Sequence, residues 1–103
     1  MTQITTHVLN VARGRPAAGV WVVLERGGED GWAQIATATT DADGRVPGLA
    51  GVAPGQHRLT FDTSALSDFY PRVVIHFTVA AGEDHYHVPL LLSPYGYSTY
   101  RGS

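Results

Sequence analysis

The chain has 103 residues, a formal net charge of -2 from nine acidic and seven basic side chains, and no cysteine. That length fits a single domain, residues 1–103, with one core. The basic residues are scattered arginines, which argues against a nucleic-acid partner, and the lack of cysteine removes disulfides, zinc thiolates and a thiol nucleophile. No positive-then-apolar leader opens the sequence and no window reaches the length of a membrane span, so a soluble cytoplasmic protein without membrane association is expected.

Twelve glycines and six prolines cut the chain into short segments rich in β-branched and aromatic residues, an all-β pattern. Ile4 to Val11 reads as the first strand, ended by Arg13-Gly14-Arg15-Pro16. Val20 to Arg26 and Trp32 to Thr39 follow, separated by a glycine-rich turn. Asp41-Ala42-Asp43-Gly44-Arg45 is a tight reversal in which Asp43-Gly44 can supply positive φ angles, placing Arg45 just beyond it. A short edge segment is expected around Val46 to Leu49. His57 to Thr63 then alternates His57, Leu59 and Phe61 against Arg58, Thr60 and Asp62.

Ser64 to Phe69 is the one stretch predicted to be helical, capped by Thr63 or Ser64 and limited by Pro71. Val73 to Val79 alternates again, Gly82-Glu83-Asp84 turns the chain into Tyr86 to Leu92, and a last hairpin covers Gly96 to Ser103. The expectation is an all-β fold: a two-sheet antiparallel β-sandwich of seven to eight strands with one short helix, because a single sheet of that size leaves one face wet.

Without cysteine or lysine, acid–base chemistry falls to the five histidines, with arginines and hydroxyls in support. His7 shares a strand face with Leu9 and Val11; the plain reading is a ring bonded to nearby backbone, the sharper one a site residue. His85 and His87 are one residue apart on a predicted strand and project from the same face, as a metal pair needs, but a partly solvated strand face does so equally and no third ligand is adjacent. His57 and His76 read as structural or exposed. Arg45 is either a solvated turn residue or a guanidinium reaching into a cleft. The final residues, Tyr97 to Ser103, are polar and aromatic, which is unusual for a loose terminus.

Four segments, in order, carry a resemblance: Ile4-Thr5-Thr6-His7-Val8-Leu9-Asn10, Thr40-Asp41-Ala42-Asp43-Gly44-Arg45, Tyr86-His87-Val88-Pro89-Leu90-Leu91-Leu92-Ser93-Pro94, and the terminal Tyr100-Arg101-Gly102-Ser103. Together they resemble the transthyretin-related 5-hydroxyisourate hydrolases from end to end. His57, where the resemblance leads one to expect an aromatic such as tyrosine, and Phe69-Tyr70-Pro71-Arg72 depart from the pattern without touching the motif residues.

The resemblance implies a transthyretin-like (prealbumin-like) sandwich of two four-stranded sheets and a homotetramer with active sites at the dimer–dimer interface. It implies hydrolysis of 5-hydroxyisourate to 2-oxo-4-hydroxy-4-carboxy-5-ureidoimidazoline, with no cofactor and no metal. Carried over residue by residue, the catalytic set is His7, Arg45, His87 and Ser103, and substrate binding falls to His7, Arg45, Tyr100, Arg101 and Gly102.

Opening a lactam needs an activated water and a donor for the developing oxyanion, tasks suited to histidine and arginine. Three other readings stand beside it at this point. One is a transthyretin-like small-molecule binding module without catalysis, since the carrier transthyretin has the same fold; the second is a metal-dependent hydrolase using His7, His85 and His87; the third is a purely structural sandwich, which leaves the two strand histidines without an explanation.

Overall fold

The computed structural model describes residues 1–102. Ten strands follow one another: β1 (Thr2–Asn10), β2 (Arg15–Pro16), β3 (Trp21–Gly28), β4 (Gly31–Thr39), β5 (Arg45–Val52), β6 (Gly55–Asp62), β7 (Arg72–Val79), β8 (His85–His87), β9 (Leu90–Ser93) and β10 (Gly96–Thr99). Two sheets result. One is four-stranded in the order β4-β3-β6-β7; the other is built around β1, which pairs with β2 and β5 along one edge and with β8 and β9 along the other, β10 closing the far side of β9. None of the described residues belongs to a helix long and apolar enough to cross a membrane.

Alternation decides which faces meet. Along β1 the side chains of Ile4 and Val8 are fully buried while Gln3 is exposed and Thr5, His7 and Leu9 are half-buried. Leu24 on β3, Leu59 and Phe61 on β6 and Leu90 on β9 close on them from the other strands, each without solvent exposure. Each such side chain contributes about 1.5–3 kcal/mol of burial free energy, so the sandwich interior fixes β1 with one face inward and the Thr5/His7 face outward.

Four expectations need correction. Ser64 to Phe69 is not a helix. Leu66 N and Ser67 N both donate to the Thr63 carbonyl, making one turn, and side chains then take over the backbone groups a helix would use. Asp62 Oδ1 accepts from Ser64 N at 3.1 Å, Ser67 Oγ accepts from Tyr70 N at 2.9 Å and donates to the Pro94 carbonyl at 2.7 Å, and Thr63 Oγ1 donates to the Tyr70 carbonyl.

There are ten strands rather than seven or eight. Arg15–Pro16 forms a two-residue bridge to Leu9 and Asn10, and the expected strand Tyr86 to Leu92 is split at Val88-Pro89, where proline has no N–H for the ladder. Nor is the pairing wholly antiparallel. The four-stranded sheet is, but β8 and β9 run parallel to β1. At the Asp41–Arg45 turn, only Gly44 has positive φ, at 74°.

His57, on β6, is fully buried beneath the four-stranded sheet, with its ring stacked on Phe77 at a centroid distance of 6.0 Å. Nδ1–H donates to the Gly55 carbonyl at 3.1 Å, whereas the buried Nε2 has no partner. Burial pushes the imidazole below the usual histidine value; the Gly55 bond opposes this and Arg26 adds to it.

The unfolded chain therefore takes up a proton near pH 6.5 that the folded chain refuses. Stability contributed by neutral His57 is complete above pH 6.5 and is lost as the pH falls from there through the lowered folded value. His57→Leu, close in volume, is expected to gain about 1 kcal/mol at pH 7 by removing the orphaned nitrogen and to lose less than the parent between pH 7 and 5 in denaturant titrations. Parallel pH profiles for the two proteins would show that His57 is not the group responsible.

Candidate active site

The outward face of β5, β1 and β8 gathers the residues singled out by the sequence. In the β1–β5 ladder His7 lies opposite Arg45, and in the parallel β1–β8 ladder Thr5 lies opposite His87. Three neighbouring strands thus present an arginine, a histidine with a threonine, and a pair of histidines on one surface. A concave pocket of about 290 Å³ opens there, lined by Thr5, Thr6, Arg45, Val46, Pro47, His85 and His87; His7 adjoins it through its pairing with Arg45.

Arg45 is aimed by the turn before it. Asp41 Oδ1 accepts from Asp43 N at 2.9 Å and from Arg45 N at 3.0 Å, while Gly44 N donates to the Asp41 carbonyl. The Gly44 carbonyl accepts from Val8 N at 2.7 Å, tying the turn to β1. A Cβ at Gly44 would lie 2.4 Å from the Val8 carbonyl oxygen, on a backbone already in the left-handed region, so only glycine fits.

His7 Nε2 lies 2.8 Å from the Asp43 carbonyl oxygen. A carbonyl only accepts, so this nitrogen carries the hydrogen and neutral His7 keeps its lone pair on Nδ1. The plain reading, a ring bonded to nearby backbone, describes this contact, and it leaves the second nitrogen available. His87 is half-buried, and its imidazole is pushed below the usual histidine value chiefly by burial, then by the charges of Arg45, His7 and His85. A neutral, proton-accepting ring beside a guanidinium suits hydrolytic chemistry.

The tail reaches the same place. Gly102 N donates to the His87 carbonyl at 2.7 Å, and a Cβ on Gly102 would come within 2.8 Å of His87 Cδ2 and 2.9 Å of His87 Cβ. Tyr100 and Arg101 are not in the histidine pocket. They border a neighbouring hollow with Ile75, Phe77 and Tyr86, where the Arg101 guanidinium lies 3.3 Å from Glu83 and 4.4 Å above the Tyr86 ring. Ser103 lies outside the described residues. Among the described residues no group of three or more histidine or carboxylate side chains is arranged to hold a metal ion.

Thr5 was not singled out by the sequence reasoning. Its hydroxyl lies 2.7 Å from His85 Nε2 and 2.9 Å from His87 Nδ1. The signal that could have found it is its spacing of two from His7, which puts both on one strand face.

The mixed sheet of this β-sandwich thus carries histidines and an arginine around a surface pocket. A profile of the HIUase/Transthyretin family matches residues 4–102, and the chain belongs to that family. The 5-hydroxyisourate hydrolase of Salmonella dublin is 45% identical over 109 residues, spanning 97% of this chain and 80% of that protein. Among solved structures, Klebsiella pneumoniae 5-hydroxyisourate hydrolase has a TM-score of 0.85 at 39% identity, covering 100% of both chains. Transthyretin from Sparus aurata has a TM-score of 0.89 at 31% identity, covering 99% of this chain and 97% of the other.

Proposed function

We propose that this chain hydrolyses 5-hydroxyisourate to 2-oxo-4-hydroxy-4-carboxy-5-ureidoimidazoline, a step of urate breakdown. The observation that carries the reading is the convergence of Arg45, His7 and His87 from β5, β1 and β8 onto one outward face. The relatives named as hydrolases support it. Fold similarity does not, because transthyretin matches the backbone equally well.

Water adds to a ring amide carbonyl, the carbon–nitrogen bond breaks, the water oxygen stays in the new carboxy group, and the nitrogen leaves with a proton. His87, held neutral by its burial and by Arg45, accepts the proton of the attacking water and returns it to the leaving nitrogen. His7 orients that water through Nδ1. Arg45 binds the substrate's carbonyl oxygens and stabilises the oxyanion through paired hydrogen bonds. Arg101, anchored on Glu83, together with Tyr100 and Gly102 sets the tail against the site, and Ser103 completes the proposed catalytic set.

The same reading makes the protein a homotetramer with its sites at the dimer–dimer interface. Support comes from the openness of the pocket in a single chain and from the exposed aromatics Phe69, Tyr95, Tyr97 and Tyr100. The test is the decay of 5-hydroxyisourate, generated from urate by urate oxidase and followed by ultraviolet absorbance, in a sample whose mass is read by light scattering. Decay faster than the spontaneous rate in a tetrameric sample is expected. No acceleration by a folded tetramer would favour a ligand-binding protein instead.

A further inference from the structure

We propose that Thr5 is a positioning residue: its hydroxyl, bridging His85 and His87, holds the proton of neutral His87 on Nδ1 and so leaves Nε2 as the nitrogen that accepts a proton. The consequence for catalysis rests on the hydrolytic reading above; the assignment of the proton does not.

A threonine hydroxyl has one hydrogen to give. Placed 2.7 Å from His85 Nε2 and 2.9 Å from His87 Nδ1, it can donate to one ring only, so at least one ring must donate to it. With the hydroxyl hydrogen used inside the bridge, the chain of bonds runs either from His87 through Thr5 to His85 or in reverse. Two observations choose the first direction. O–H donors make shorter bonds on average than N–H donors, and the shorter contact is the one to His85, which accords with the hydroxyl donating to His85 Nε2 and Nδ1–H of His87 donating to Thr5.

The second observation is electrostatic. Arg45 lines the same pocket as His87, and a ring that shares a pocket with a guanidinium is better placed with a lone pair on its remaining nitrogen than with another N–H. The groups facing His87 are Arg45 on β5, His7 on β1, His85 on its own strand and the Gly102 backbone of the tail.

The bridge is held by backbone as well as side chains. Thr5 and His87 are register partners, and the Thr5 carbonyl accepts from Val88 N at 2.9 Å, so the β1–β8 ladder keeps the Thr5 backbone beside the two rings. When His87 Nε2 takes a proton, the ring becomes an imidazolium whose Nδ1–H bond to Thr5 strengthens. No proton needs to travel along the bridge. With His7 carrying its hydrogen on Nε2, as the Asp43 carbonyl requires, the two site histidines hold opposite tautomers.

The test is long-range proton–nitrogen correlation spectroscopy of the histidine-labelled full chain at neutral pH, without substrate, on the parent, Thr5→Val, Thr5→Ser and His85→Leu. The parent is expected to show His87 protonated on Nδ1, Thr5→Ser to keep that signature, and Thr5→Val to lose it. In His85→Leu the hydroxyl, deprived of its acceptor, should turn to His87 Nδ1 and move the proton to Nε2.

In turnover, Thr5→Val should lose roughly tenfold in kcat, a fraction of the roughly 10²–10⁴ that a general base supplies, with KM little changed and recovery in Thr5→Ser. A parent with the His87 proton on Nε2 would overturn the proposal, as would a tautomer untouched by Thr5→Val and His85→Leu. A parent with the expected tautomer that fails to accelerate 5-hydroxyisourate decay would instead overturn the hydrolase reading alone.

Discussion

Arg45→Lys is expected to lower kcat for 5-hydroxyisourate by about 10²–10³-fold, the loss seen when one preorganised oxyanion donor is removed. The unfolding midpoint should move by no more than about 4 °C, as for an ordinary exposed position in a domain of this size. The separation follows from how Arg45 is built in. Its backbone N–H is held by Asp41 and its backbone pairs with His7, while its side chain is exposed at the pocket. Lysine keeps the backbone bonds and the charge but replaces a planar fork of donors by a single ammonium on a flexible stem. Near-parental turnover in a variant with an unchanged circular dichroism spectrum would remove Arg45 from the chemistry.

Gly102→Ala is expected to cost about 10²-fold in kcat/KM, the scale of a misplacement of about 1 Å at a reacting group. The added methyl would fall 2.8 Å from His87 Cδ2 and 2.9 Å from His87 Cβ, closer than carbon atoms approach. Either the imidazole tilts away from Thr5 or the tail lifts, giving up the bond from Gly102 N to the His87 carbonyl. Both outcomes disturb the site and spare the interior, since none of the buried core residues is involved. Steady-state kinetics beside thermal unfolding checks it; an alanine variant as active as the parent would mean that the tail and His87 are not packed together in the working enzyme.

Much of this was legible in the amino-acid order. The alternation of His57, Leu59 and Phe61 against Arg58, Thr60 and Asp62 is a local signal, and it put His57, Leu59 and Phe61 together on the face of β6 that the structure buries. The Asp41–Arg45 turn was equally local. His85 and His87 lie on one face because strands have a period of two, and the burial of His57 follows from the company of Leu59 and Phe61, although its orphaned nitrogen does not.

What escaped was long-range. Thr5 and His87 are 82 positions apart, and nothing in either segment announces that β8 and β9 run parallel to β1 on the edge opposite β5. The bond between Arg101 and Glu83, which turns a residue expected at the substrate toward the neighbouring hollow, depends on the same pairing. The turn at Ser64 to Phe69 was misread because its hydroxyls and the Asp62 carboxylate satisfy the backbone in place of helical bonds, a competition that propensity does not resolve.

The measurement that tests the central claim most directly is a double-mutant cycle on kcat/KM for 5-hydroxyisourate with His7→Ala, His87→Ala and both together. Residues from β1 and β8 that act as one unit on one water lose activity non-additively. The double variant should be no slower than about threefold below the worse single variant. Losses that multiply, or single variants that turn over at the parental rate, would contradict a shared site on the outward face of these strands.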